Sequence, residues 1–213
     1  MVNKKEKSRH SRLKIMSPLN RKVLFNFPNI LTFSRIAVIP IIMILMSLDT
    51  PSHSYDWNKN ICLWAAFLFI LAGISDLVDG YYARKYGMVS LMGKFIDPMA
   101  DKLIHMSVMV MLVSMNRFPG WLAALLIFRE ILITGLRSIA VGEGIIIAAG
   151  EWGKKKTAWF NVGLGALIIH YPFFGFSSYT VGWSALFFGS IYSIFSGLQY
   201  LVVFFREAKN DND

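Results

Sequence analysis

Four aspartates fall in two pairs along one short stretch: Asp76 with Asp79, then Asp97 with Asp101. A spacing of three or four residues puts both members of a pair on one helix face. Gly80 and Ala83 share the face of Asp76, four and seven residues further on. A short linker keeps the two helices neighbours, so all four carboxylates should converge. At close range they cannot all stay ionised unaided; some take up protons, or cations neutralise them. With no His or Cys expected beside them, the donors are all oxygen. Such a set favours hard Mg²⁺, Mn²⁺ or Ca²⁺ over zinc. Two divalent ions balance four aspartates, and a carboxylate-bridged ion pair suits displacement at phosphorus. The competing reading is a set of interfacial ion pairs with Arg84, Lys85, Lys94 and Lys102. Two aspartate pairs in register with small residues weigh against it. Gly80 and Ala83 let a phosphorylated ligand approach the backbone, although small residues also serve close helix packing in membranes. Pro98 fits the first turn of a helix that starts near Asp97.

The elements that must carry these residues are membrane-grade. The 213 residues are 55% hydrophobic and only 16% charged, with mean hydropathy +0.49. A soluble domain carries about 25% charged residues. Several long apolar runs instead indicate a multi-spanning, all-α membrane protein, since lipid allows only helices or closed barrels. The net charge of +9 lies between apolar spans. It points to anionic lipid and phosphorylated substrates and to topology signals, and not to nucleic acid. The lone Cys62 excludes a disulfide within the chain and a cysteine metal site.

Six spans are expected, near 30–48, from 61 onward, 97–115, 121–140, 157–170 and 183–205. The basic residues 1–22 form a cytoplasmic tail that runs into a short amphipathic surface helix over 18–27, ended by Pro28. This first part (1–27) precedes a six-span domain over 28–206 and a polar tail over 207–213. No cleavage site follows the first span, which reads as retained. The expected external loops hold only Lys59 and Arg117 of the 22 basic residues. That asymmetry places both termini and all four aspartates on the cytoplasmic side.

The pattern Asp76-x2-Asp79-Gly80-x2-Ala83-Arg84-x8-Gly93-x3-Asp97-x3-Asp101 resembles the complete signature of the CDP-alcohol phosphatidyltransferase family. The resemblance extends over the six spans and the surface helix. It implies a membrane enzyme, usually a homodimer, with two divalent cations, Mg²⁺ or Mn²⁺. The phosphatidyl group of a CDP-linked lipid passes to an alcohol and CMP leaves. By position, Asp76, Asp79, Asp97 and Asp101 would bind the ions, and Asp101 would also be the general base. Gly80, Ala83 and Arg84 would hold the CDP moiety near Gly93.

The remaining cations bear on the acceptor. Arg129 and Glu130 lie about 12 Å into the fourth span and can neutralise one another. Arg137, eight residues beyond Arg129, shares its face. Lys154, Lys155 and Lys156 return to the membrane surface at the fifth span. A phosphate on the acceptor would suit them, although a lysine triplet is equally a topology anchor. PNILTFSR (28–35), FREILITGLR (128–137) and GKKKT (153–157) resemble the bacterial phosphatidylglycerophosphate synthase branch, which uses glycerol 3-phosphate and works in the bacterial inner membrane. That resemblance sets Asn29 and Thr32 beside the nucleotide of CDP-diacylglycerol. It makes Arg129, Arg137, Lys154 and Lys156 the candidates for the acceptor phosphate, with Arg137 and Lys154 foremost. Other acceptors (inositol phosphate, serine, phosphatidylglycerol) are the alternative within the family. A cation or proton transporter is the alternative outside it, but transporters place their acids near the midplane. Metal-dependent prenyl transfer is a third, disfavoured by the spacing of Gly80, Ala83, Arg84 and Gly93.

Overall fold

A computed structural model describes the backbone of residues 27–86, 91–142, 151–172 and 175–210. It describes the side chains of 30–75, 99–140, 152–172, 175–203 and 206. Six helices follow one another: α1 (Phe27–Ser47), α2 (Tyr55–Tyr86), α3 (Leu91–Ser114), α4 (Gly120–Gly142), α5 (Glu151–Ile169) and α6 (Ser178–Asn210). No β-strand occurs among the described residues. Among the described residues, three stretches are long and apolar enough to cross a membrane by length and composition: Ile30–Ser47, Tyr55–Ser75 and Ser178–Val203. The expected surface helix before Phe27 lies outside the described residues.

Several helices outrun the expected spans. α2 begins at Tyr55, not near Ile61, because Ser54 caps it: its hydroxyl accepts from Trp57 N at 3.4 Å, its carbonyl from Asn58 N at 3.1 Å, and Asp56 stands in the first turn. α3 starts at Leu91, so Pro98 lies well inside it and not in its first turn. α5 starts at Glu151, which moves Lys154 to Lys156 from a loop into a helix. α6 runs on through Asn210, into the stretch expected as a tail. Pro28 falls in the first turn of α1, where its missing N–H costs nothing.

A single apolar core joins the helices. Ile42 and Met46 of α1, Phe69 of α2, Val108 and Leu112 of α3, and Leu164, Leu167 and Ile168 of α5 are buried in it. The α5–α6 pair is the closest. A Cβ at Gly163 would lie 2.6 Å from Leu186 and 3.1 Å from the Gly182 carbonyl; one at Gly182 would lie 2.8 Å from Leu167. The two glycines let the backbones touch, which is how membrane helices gain packing energy without a hydrophobic driving force. Large apolar side chains such as Trp64, Phe128, Ile131, Phe187 and Val202 remain exposed, as lipid-facing positions must.

The end away from the aspartates is closed by a buried ion pair. Asn116 and His170 adopt positive φ (56° and 57°) just past the ends of α3 and α5. Each left-handed residue turns the chain inward, bringing Arg117 and Tyr171 to Asp49. Arg117 pairs with Asp49 and donates to the Ile168 carbonyl at 3.2 Å; Tyr171 Oη donates to Asp49 Oδ1 at 3.1 Å. Burial, and then the Asp49 charge, raise the Tyr171 phenol above its ordinary value, which keeps it a donor. Arg117, expected as an exposed loop residue, is thus buried. Arg117→Met should destabilise the fold by about 3–5 kcal/mol, because it strands the Asp49 charge. Adding Asp49→Leu should recover most of that loss, as read by unfolding in detergent.

Candidate functional site

The opposite end gathers the last turns of α2, α4 and α6 and the first turns of α3 and α5. Asp76 and Asp79 lie on α2. Asp97 and Asp101 lie on α3. Only Asp101 of the four has a described side chain. The side chains of Asn29, Asp76, Asp79, Gly80, Ala83, Arg84, Gly93 and Asp97 lie outside the described residues. Thr32 and Arg35 are buried on α1, 1% and 2% exposed. Arg35 therefore points into the bundle and does not snorkel to the interface.

Asp101 opens onto two joined spaces. An inner recess of about 60 Å³ runs past His105, Met109, Leu126 and Phe160. An outer cleft of about 250 Å³ runs past Arg129, Thr134, Arg137, Lys154, Ser196 and Tyr200. Asp101, Lys102, Glu130, Lys156 and Thr157 line both. Three of the four expected anion-binding cations are held by neighbours across the helices. Glu130 Oε2 accepts from Arg129 at 3.0 Å and from Lys156 Nζ at 2.7 Å. Arg129 also donates to the Ser193 carbonyl of α6 at 2.6 Å. Gly197 makes room for it, since a Cβ there would lie 3.2 Å from Arg129 Nε. Arg137 donates to the Tyr200 hydroxyl and lies over its ring at 4.9 Å. Arg129 and Arg137 do share one face, and that face looks at α6. Lys102, which the competing reading would pair with the aspartates, donates to Thr134 Oγ1, whose own hydroxyl donates to the Glu130 carbonyl at 2.7 Å. Lys154 is exposed and has no acidic partner among the described residues.

The expectation that no histidine stands near the aspartates is wrong. His105 is four residues after Asp101 on the same face. Its Nδ1 lies 3.5 Å from Asp101 Oδ1 and donates to the Asp101 carbonyl at 2.6 Å. Its Nε2 meets Asn161 Oδ1 of α5 at 2.6 Å. The helical spacing that pairs Asp97 with Asp101 could have revealed His105. Asn161, Ser193 and Tyr200 carry no such signal, because they arrive from helices far along the chain. Among the described side chains Asp101 Oδ1 has only that long contact to His105, and its side chain is 32% exposed. It is an available hard oxygen donor beside a strongly cationic wall.

A family model described as CDP-alcohol phosphatidyltransferase matches residues 25–191. A Bacillus subtilis protein named CDP-diacylglycerol–glycerol-3-phosphate 3-phosphatidyltransferase is 36% identical over 198 residues, covering 89% of this chain and all of that protein. A Haemophilus influenzae protein of the same name is 33% identical over 184 residues, 84% of this chain and 93% of that one. A Mycobacterium tuberculosis protein named probable phosphatidylglycerophosphate synthase is 33% identical over 150 residues, covering 70% and 68%.

Glu130 is the only carboxylate described for Arg129 and Lys156. Glu130→Gln should therefore lower stability by about 2–3 kcal/mol, the cost of leaving half-buried cations unmatched. Millimolar sulfate should restore much of it by entering the cleft as a substitute anion. Thermal unfolding of the purified variant with and without sulfate reads both effects.

Proposed function

The chain belongs to the CDP-alcohol phosphatidyltransferase family, and we propose that it transfers the phosphatidyl group of CDP-diacylglycerol to sn-glycerol 3-phosphate, giving phosphatidylglycerophosphate and CMP. One observation supports this acceptor best: a single cleft holds the Asp101 carboxylate and, along the same wall, Lys102, Arg137 and Lys154. A small molecule with a hydroxyl at one end and a phosphate at the other spans such a site. Arg129 and Lys156 already have the Glu130 carboxylate, so they form an outer ring of positive charge. Arg137 and Lys154 take the phosphate directly. Arg137 presents a planar fork held by Tyr200, and Lys154 adds a mobile point charge.

The reaction follows from that placement. The acceptor hydroxyl gives its proton to Asp101 as its oxygen bonds to the phosphorus that bears diacylglycerol. The bond from that phosphorus to the CMP oxygen breaks, and CMP carries away the electron pair. A general base must lie within hydrogen-bond reach of the hydroxyl, and Asp101 opens into both the recess and the cleft. The carboxylates of Asp76, Asp79, Asp97 and Asp101 would hold two divalent ions, Mg²⁺ or Mn²⁺, which would polarise the phosphoryl oxygens. The exposed oxygens of Asp101 fit that role. Arg84, with Gly80, Ala83 and Gly93, would seat the CDP group beside Asn29 and Thr32.

Six spans with both termini in the cytoplasm of a bacterium complete the reading, with the site at the cytoplasmic face and the enzyme working as a homodimer. α3, α4 and α5 carry charged residues along their length, and apart from Lys155 their described charges line the two spaces. Polar residues that face a cavity do not bar a helix from the bilayer. The transporter and prenyl-transfer alternatives give way to the family membership.

Asp101→Asn should cut turnover by about 10²–10⁴-fold, the range a positioned base contributes, while CDP-lipid binding stays near wild type. A variant that keeps most of its CMP release removes Asp101 as the base. Arg137→Ala should raise KM for glycerol 3-phosphate at least tenfold and leave the CDP-diacylglycerol KM nearly unchanged; equal rises in both would mark it as structural. CMP release from purified enzyme with a panel of alcohols tests the acceptor directly. Release with serine but none with glycerol 3-phosphate would overturn it.

A further inference from the structure

Asn161 of α5 stands between the two helices that carry the aspartates. On one side its Oδ1 meets His105 Nε2 of α3 at 2.6 Å, one turn along from Asp101. On the other its Nδ2 lies against α2 at Gly73, where an added Cβ would be 3.6 Å away, one turn before Asp76. His105 is itself fixed on three sides. Nδ1 holds the Asp101 carbonyl at 2.6 Å, Nε2 holds Asn161, and the ring meets Phe69 of α2 edge-on at 5.8 Å. Its side chain is only 14% exposed. Its two ring nitrogens therefore tie the turn that bears Asp101 to α5.

We propose that His105 and Asn161 act as a positioning pair: wedged between α2 and α3, they set the spacing of the two aspartate-bearing helices and the aim of the Asp101 carboxylate. The pair touches neither substrate nor the reacting atoms. It acts through Asp101 and through the register of α2 against α3, as groups behind metal ligands commonly do. The proposal rests on the reading of Asp101 as base and metal ligand given above.

The test uses full-length enzyme in detergent with His105→Leu, Asn161→Leu, the double variant and the conservative His105→Gln. Mn²⁺ binding without substrate, by electron paramagnetic resonance, is the readout independent of activity. Both leucine variants should weaken Mn²⁺ binding and lower kcat by about 10–100-fold, the usual cost of removing a group behind a metal ligand. KM for glycerol 3-phosphate should move less than threefold. The double variant should be little worse than either single, because the two residues work as one unit. His105→Gln, which keeps an amide donor in reach of the Asp101 carbonyl, should regain a large part of the loss. Mn²⁺ binding and kcat within twofold of wild type in both leucine variants would overturn the proposal. So would a loss that tracks the fall in Tm and that His105→Gln does not relieve. If the wild type itself prefers another acceptor, the proposed function fails on that result, while Mn²⁺ binding and the double variant still judge the pair.

Discussion

The Glu130 carboxylate holds the cleft together. α4 packs only sparsely on the rest of the bundle, and its apolar residues Phe128 and Ile131 look outward. What attaches its inner half is a row of polar cross-links: Glu130 to Lys156 of α5, Arg129 to Ser193 of α6, Thr134 to Lys102 of α3, and Arg137 to Tyr200 of α6. In a low-dielectric setting such bonds are strong when matched and expensive when broken. Glu130 matters most because it neutralises two cations at once and lies where α3, α4 and α5 meet the cavity. Charge matching thus substitutes for apolar packing at the place where the cavity must stay open.

The two ends of the bundle answer the same problem of buried charge differently. At the outer end, Asp49, Arg117 and Tyr171 saturate one another, and left-handed turns at Asn116 and His170 deliver them. At the other end, among the described residues, Asp101 keeps one long contact to His105 and Lys154 has no acidic partner. The outer cluster fixes the helices so that the inner groups can stay under-satisfied. Strain and incomplete pairing are tolerable at a site only when the surrounding structure over-determines it.

Much of this was legible in the sequence, and the boundary of legibility has a physical cause. The aspartate pairs and the shared face of Arg129 and Arg137 follow from helical spacing, which is a local property. Helix ends were misplaced at Tyr55, Leu91 and Glu151 because hydropathy marks where lipid stops, not where the hydrogen-bonded backbone stops. Polar turns such as YDWNKN and EWGKKK continue a helix beyond the apolar stretch once a cap or a packing partner allows it. His105 follows from the same i, i+4 rule that pairs Asp97 with Asp101, which contradicts the all-oxygen donor set expected there. The partners Asn161, Ser193 and Tyr200 depend on how α5 and α6 pack, and that rests on the contact of Gly163 with Gly182, which no local pattern announces.

Charge also bears on which acceptor the cleft admits. Among the described residues its walls hold five cations, Lys102, Arg129, Arg137, Lys154 and Lys156, and two carboxylates, Asp101 and Glu130. Three lysines near the start of α5 add to the positive end of its dipole, an arrangement that costs stability unless an anion answers it. A phosphate on the acceptor supplies that anion and needs no rearrangement of Glu130. Serine brings a carboxylate but also an ammonium, and would leave the cations poorly matched. A neutral alcohol would bring no anion to the cations that Glu130 does not already pair. Discrimination of this kind comes less from attraction to the right acceptor than from the cost of leaving charged groups unpaired with the wrong one. The same excess of cations sits beside the carboxylates that would hold metal ions. Glu130 tempers that excess, since its carboxylate answers two of the five described cations, Arg129 and Lys156.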